Sequence, residues 1–153
     1  MNKKYFWIIL VIGILIIGGA VYSYFIKEKP VRKVMIYYYN PENDKDETGN
    51  VKCSRDGLMA VEREIPITKT PIQDTINLLL KGEDSAEYPL EGFSLKSASL
   101  NNGVLTLEFE DPNSKTGGGS CRAGILWFQI EATAKQFAGV QSVRFLPEEL
   151  FQP

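Results

Sequence analysis

The two cysteines and the complete absence of histidine limit the chemistry open to this chain. Cys53 and Cys121 are the only cysteines among 153 residues. Without histidine there is no Ser-His-Asp or Cys-His arrangement, and the commonest transition-metal ligand is missing. Two thiolates alone cannot complete a four-ligand zinc site unless carboxylates fill in. In an extracytoplasmic protein the pair is most simply a disulfide, and two buried free thiols or a redox pair are the alternatives.

Paired carboxylates are the next candidates for chemistry. Glu108 and Glu110 share the polar face of a predicted strand, and Asp111 follows them directly. General acid–base catalysis needs two such groups converging on a cleft. No other pattern marks a cleft around them, so a hydrated strand face is the favoured interpretation. We expect no catalytic residue and no enzymatic activity.

Two polar loops resemble ligand-binding loops only in part. Residues 44–49 place acidic side chains at the first and third positions of a calcium loop and glycine at the sixth. The twelfth position, which should be a bidentate glutamate, is Arg55, so a solvated acidic turn is favoured. Residues 117–120 (GGGS) lead into a helix as an anion-binding nest does, but Lys115 precedes the glycines rather than following them. We expect neither a metal nor a cofactor.

Four aromatic side chains are candidates for partner binding: Tyr37, Tyr39, Trp127 and Phe128. Trp127 lies one position away from the apolar stripe of a predicted helix, and Phe128 widens that stripe. Ordinary core packing is the favoured interpretation of both side chains. An exposed aromatic docking patch is the alternative.

Residues 5–26 (YFWIILVIGILIIGGAVYSYFI) contain no charged side chain. As a helix, 22 residues span about 33 Å, which is enough to cross a hydrocarbon core of about 30 Å. A cleaved signal peptide is the alternative, with small residues at Gly18 and Ala20. The apolar character continues to Ile26 with aromatics placed like an interfacial belt, which favours a retained transmembrane anchor.

The flanks of this run suggest its orientation. Residues 1–4 form a short tail, which is typical of a signal anchor that starts in the cytoplasm. Basic residues after the run slightly outnumber those before it, which argues the other way. The plausible disulfide favours an extracytoplasmic domain, so we expect a single-pass cell-membrane protein.

The remainder of the chain is mildly acidic. It carries all 19 acidic residues and 15 of the 17 basic ones. Because binding to phosphates needs clustered positive charge, we expect no nucleic-acid partner.

The hydrophobic periodicity predicts five strands and two helices in an α+β fold. The helices are expected at 71–81, with Thr70 and Gln73 as a capping box, and at 121–137, with Ser120 as the N-cap. The strands are expected at 34–39, 59–67, 94–100, 104–110 and 141–146. This order predicts a small mixed β-sheet with two helices packed on one face, preceded by the transmembrane helix.

Three segments together resemble the GerMN domain of the sporulation and spore germination family. They are TPIQDTINLLLKG, the hairpin SLKSASLNNGVLTLEFE and the closing segment ILWFQIEATAKQFAGVQSVRFL. The resemblance covers roughly residues 34–147 and implies a ring-building-type module that takes part in protein–protein interaction or assembly, without catalytic residues. The chain differs from the better-known germination proteins in its single domain copy, its apolar run and its cysteine pair.

These observations predict five consecutive regions. They are a cytoplasmic tail (1–4), a transmembrane anchor (5–26), a juxtamembrane linker (27–33), a GerMN-like domain (34–147) and a C-terminal tail (148–153). The expected function is binding of envelope proteins or self-association at the bacterial cell envelope, with a link to sporulation or germination. Binding of envelope polysaccharide such as peptidoglycan is the alternative, and it would need exposed aromatics such as Tyr37 to Tyr39, Trp127 or Phe151.

Overall fold

A computed structural model describes residues 12–19, 30–82 and 93–151. The chain divides into two compact units, Met1–Pro30 and Val31–Pro153. In the first unit, residues 12–19 are helical. The rest of the predicted anchor 5–26, the tail 1–4 and linker residues 27–29 lie outside the described residues. Within the described residues, no helix combines the length and the apolar character that crossing a bilayer requires.

In the part of the second unit that the structure describes, there are five strands and two helices in the predicted order. They are β1 (Val31–Tyr39), β2 (Leu58–Pro66), α1 (Pro71–Lys81), β3 (Ser94–Asn101), β4 (Val104–Glu110), α2 (Ser120–Lys135) and β5 (Ser142–Leu146). Short 3-10 turns occur at Pro41–Asp44, Arg55–Gly57 and Glu148–Phe151. The predicted α+β class is confirmed.

The single mixed sheet expected from the sequence is wrong, because the strands form two sheets. β1 and β2 pair antiparallel, with Val31 opposite Pro66 and Tyr39 opposite Leu58. The other three strands form a sheet in the order β3-β4-β5, in which β4 and β5 run parallel. Helix α2 lies along the second edge of β1, where a further strand would have to pair.

Both helices pack into one apolar core shared by the two sheets. Alternate residues of β1 (Val34, Ile36 and Tyr38) and of β4 (Leu105, Leu107 and Phe109) point into it, as strand periodicity requires. The helices contribute residues at helical spacing, namely Ile76, Leu79 and Leu80 from α1 and Leu126, Ile130 and Ala134 from α2. The three-stranded sheet therefore has one buried face and one polar face.

The helix ends differ from the prediction in detail. Thr70 is the N-cap of α1, but its side chain makes no capping hydrogen bond, so the predicted box with Gln73 does not form. Instead, the hydroxyl of Thr68 accepts a hydrogen bond from the Thr70 amide at 3.2 Å and donates one to Asp74. Gly82 ends α1 in the left-handed conformation. Helix α2 starts at Ser120 with Gly119 as the N-cap.

The ends of the domain also extend beyond the predicted boundaries. Linker residues 31–33 belong to β1. The predicted C-terminal tail contains the turn Glu148–Phe151, in which Phe151 is buried. Phe151 contacts Phe93, Phe109 and Phe145, so this turn is part of the domain.

Candidate functional site

A polar stripe on α2 binds the free edge of β1. Three alternate backbone amides of β1 donate hydrogen bonds to side chains of α2 and of its C-cap residue: Met35 to Gln136 at 2.7 Å, Tyr37 to Thr133 at 3.1 Å and Tyr39 to Gln129 at 3.1 Å. The amide nitrogen of Gln136 also donates to the Met35 carbonyl at 2.6 Å. The helix thus satisfies a strand edge that would otherwise be open to another chain.

The loop that joins β1 to β2, residues 40–57, is held to the start of α2 by a disulfide. Cys53 and Cys121 are bonded, with their Cα atoms 5.3 Å apart. Cys121 lies in the first turn of α2, as predicted, and Cys53 has a positive φ of 57° in the loop. We call residues 40–57 the connecting loop. Its 18 residues exceed the usual length of a connection within a compact domain.

A second attachment of the connecting loop is built around Asp44, which is fully buried. Its carboxylate accepts hydrogen bonds from the Ser54 amide at 2.6 Å, from the Ser54 hydroxyl at 2.6 Å and from the Tyr39 hydroxyl. Burial by itself would raise the pKa of Asp44, but the bonds from Ser54 and Tyr39 and the charge of Lys52 outweigh it and lower the pKa to about 2. The carboxylate therefore stays ionised and fastens both ends of the loop.

A third attachment joins the loop to the middle of α2. The guanidinium of Arg55 stacks on the ring of Phe128, 4.4 Å from its centroid, and forms an ion pair with Glu131. Burial raises the pKa of Glu131, but Lys135, at 2.7 Å, and Arg55 lower it by more. Cation–π contacts of this kind contribute about 0.5–1 kcal/mol each when exposed.

The predicted site residues separate into two groups. Tyr39, Phe128 and the disulfide meet at the junction between the connecting loop and α2. Tyr39 is buried there, with its ring against the Cα of Gly57, so it supports the loop and does not offer a surface to a partner. Tyr37 is half-buried on the same face of β1 as Tyr39.

Trp127 lies away from that junction. Its ring is 4.2 Å from the ring of Phe145 and 5.9 Å from that of Phe151, measured between centroids. Trp127 therefore packs against the core, although its position lies outside the apolar stripe of the helix.

The acidic residues singled out in the sequence are bound by neighbouring groups. Glu108 accepts a hydrogen bond from Ser97 at 3.0 Å and pairs with Lys96 at 3.1 Å, and both interactions lower its pKa. Asp111 accepts bonds from the amides of Lys115 and Thr116, which lower its pKa despite its burial. Asp46 is bonded by Thr48 and Asn50. Each of these groups is held as a carboxylate, and the described residues contain no group of three acidic or cysteine ligands that could hold a metal.

The comparisons with known proteins identify one family. A family model described as "Germane: Sporulation and spore germination" matches residues 35–149, which is most of the chain. The chain belongs to this family. The solved tandem GerMN domains of the sporulation protein GerM from Bacillus subtilis are similar to it, with a TM-score of 0.50 and 20% sequence identity. That match covers 78% of this chain and 40% of that chain, so the chain spans less than half of that relative.

At 20% identity this likeness to the GerM domains concerns the fold alone. A search of the curated proteins gave no significant match. The family match over residues 35–149 confirms the resemblance to the GerMN domain that was drawn from the sequence.

Several residues that build the junction were not identified from the sequence. The buried network of Asp44 and Ser54 contradicts the solvated acidic turn expected at residues 44–49. The stripe of Gln129, Thr133 and Gln136 was also missed, although its spacing of four and three residues places it on one face of a helix. Polar residues at helical spacing within an apolar helix are the signal that could have revealed it.

Proposed function

We propose that this GerMN-type protein is a membrane-anchored, extracytoplasmic module that binds other envelope proteins or a second copy of itself in sporulation or germination. The observation that carries the proposal is the connecting loop, which is fixed by the disulfide, by Asp44 and by Arg55. A long loop held rigid on a folded domain is a common form of binding site. The family described as sporulation and spore germination supports the physiological setting.

The chemistry of the described residues favours binding over catalysis. The carboxylates whose pKa values are shifted have lowered values and partners within the domain. General acid–base catalysis at neutral pH needs the opposite, a carboxylic acid with a raised pKa beside an ionised partner. The disulfide supports an extracytoplasmic location, because such bonds persist in oxidising compartments.

The connecting loop also presents apolar groups to solvent. Val51 is 41% exposed in the loop, and Met59 is 40% exposed just after it. A partner could bury both side chains at little entropic cost, because the loop is already ordered.

Site-specific crosslinking in cells tests the proposal. A photo-crosslinking residue at Val51 is expected to give a discrete product, whereas one at Val104 is not. Val104 is the matched control, since it is 40% exposed at a hairpin on the other sheet. A product of twice the mass of the chain would identify a second copy as the partner, and equal products at both positions would contradict the proposal.

The polysaccharide alternative has less support in the described residues. Tyr38, Tyr39 and Phe151 are buried, and Trp127 packs on Phe145. Among residues 30–82 and 93–151 no aromatic ring is exposed as a platform for a sugar. Retention of the purified protein by bare cell wall without protein partners would reverse this preference.

A further inference from the structure

We infer that the open end of the β1–β2 hairpin rests on the surface of an anionic lipid bilayer. This end, which we call the hairpin end, consists of Val31, Arg32, Pro66, Ile67 and Lys69, and all five residues are exposed. The inference rests on the membrane anchor of the proposed function. It goes beyond that function by specifying which surface of the domain faces the membrane.

The hairpin end concentrates exposed apolar surface. Ile67 is 54% exposed and Val31 is 50% exposed, the two highest values among the large apolar side chains that the structure describes in the second unit. Pro66 lies directly opposite Val31 in the strand pairing, so the three apolar side chains occupy one end of the hairpin. Contact of these side chains with water is unfavourable, whereas the boundary between lipid headgroups and acyl chains can bury them.

The charge of the hairpin end differs from that of the rest of the domain. Arg32, Lys33 and Lys69 lie near the apolar side chains, and Lys33 pairs with Glu62 at 2.7 Å. With Glu64 on β2 and Asp74 at the start of α1, the three basic groups are balanced by three acidic ones, whereas elsewhere in residues 31–153 there are ten basic and fifteen acidic side chains. An anionic surface attracts nearby lysine and arginine and repels the acidic remainder, so it favours contact at this end.

The length of the connection limits where this end can lie. Five residue steps separate Ile26, the last residue of the apolar run, from Val31. A fully extended chain spans at most about 3.5 Å per residue, so Val31 stays within about 17 Å of the end of the run. Met59, which pairs with Tyr38, lies at the opposite end of the hairpin, about 23 Å from Val31 at 3.3 Å per residue. The two ends can therefore be distinguished by a probe at the bilayer surface.

The test uses the full chain in lipid nanodiscs of equal parts phosphatidylglycerol and phosphatidylcholine. The two native cysteines remain in their disulfide, and a single thiol is introduced by Ile67→Cys or, as the matched control, by Met59→Cys. Each thiol carries the environment-sensitive fluorophore NBD. For the Ile67→Cys protein we expect a blue shift of the NBD emission, and we expect lipid that carries a spin label on its headgroup to quench most of the fluorescence. We expect neither effect for the Met59→Cys protein.

The electrostatic part is tested separately. The double variant Arg32→Gln/Lys69→Gln, combined with the probe at position 67, is expected to reduce the quenching in phosphatidylglycerol discs to the level found in pure phosphatidylcholine discs. Lys81→Gln, at the far end of α1, should leave the quenching unchanged. Quenching that is insensitive to Arg32 and Lys69 would overturn the role of charge at the hairpin end.

Three outcomes would overturn the inference in different ways. If the chain enters the discs but neither probe is quenched, the hairpin end does not contact the bilayer and the anchor still stands. If both probes are quenched equally, the contact is not specific to this end. If the chain does not associate with the discs at all, the membrane anchor of the proposed function fails as well.

Discussion

The side chain of Gln136 and the backbone of Met35 exchange two hydrogen bonds, of 2.7 Å and 2.6 Å. An antiparallel neighbour strand would make the same pair of bonds with this residue. The amide of Gln136 thus replaces a strand at the edge of β1. Together with Thr133 and Gln129 it explains why the sheet ends there and why the helix lies where it does.

Replacement of Gln136 by alanine is expected to destabilise the domain. The two backbone groups of Met35 would lose their partners in a partly buried position, which costs about 1–3 kcal/mol. Urea unfolding measures this loss, with Gln73→Ala on α1 as the control. The variant should also self-associate more in sedimentation experiments, because an unpaired strand edge is exposed. An unchanged midpoint of unfolding would show that water replaces the amide without loss.

Loss of the disulfide is expected to lower the free energy of unfolding of the domain but to leave the connecting loop ordered. The bond closes a separation of 68 residues, for which the chain-entropy model gives about 4 kcal/mol. Unfolding of the Cys53→Ser/Cys121→Ser double variant measures the loss. The loop should stay protected from protease, since Asp44 and Arg55 still hold it. Two titratable thiols in protein from an oxidising host, without reductant, would contradict the bond.

Protonation of the buried carboxylate of Asp44 is expected to lower the free energy of unfolding in acid. Its pKa is lowered from 3.8 to about 2 in the folded protein, so the folded state binds the proton less tightly than the unfolded state does. The contribution of Asp44 is therefore complete above about pH 4 and is lost as the pH falls through about 2. Denaturant unfolding at a series of pH values should show a smaller acid dependence for Asp44→Asn than for the unaltered protein.

The control for this pH series is Asp56→Asn, on the exposed side of the same loop. This variant leaves the hydrogen bonds of Asp44 to Ser54 in place, so we expect it to retain more of the acid dependence than Asp44→Asn does. Asp46, Asp111 and Glu108 also have lowered pKa values, so Asp44→Asn is expected to remove only part of the dependence. Identical slopes for Asp44→Asn and Asp56→Asn would contradict the role of the buried carboxylate.

Trp127 and Phe128 are neighbours in sequence but should respond differently to truncation. Trp127 packs on Phe145 and Phe151, so Trp127→Ala is expected to cost about 3 kcal/mol of unfolding free energy, as other large core truncations do. Phe128 is half-buried beneath Arg55, and Phe128→Ala should cost about 1 kcal/mol through the lost cation–π contact and packing. Thermal or urea unfolding compares the two. Equal losses would show that Trp127 is not part of the core.

Local sequence patterns determined the elements of this protein. Alternation of apolar residues in Val104–Glu110 predicts a strand with one buried face, and the spacing of Ile72, Ile76 and Leu79 predicts a helix, because each depends only on the geometry of its own segment. The order of elements and the family follow from the chain itself, whereas the disulfide was only the favoured interpretation of its two cysteines until the structure showed the bond. The predicted anchor at 5–26 also depends on local composition, and it remains a prediction.

The tertiary structure alone decided how the elements combine. Whether β1 pairs with a further strand depends on what approaches its edge, and Gln129, Thr133 and Gln136 reach it from 90 to 101 residues further along the chain. The burial of Asp44 likewise depends on the return of Ser54 and on Tyr39, although its local sequence is that of an exposed turn. The spacing of residues within a segment predicts the structure of that segment alone. These contacts depend instead on which distant groups meet once the core has formed.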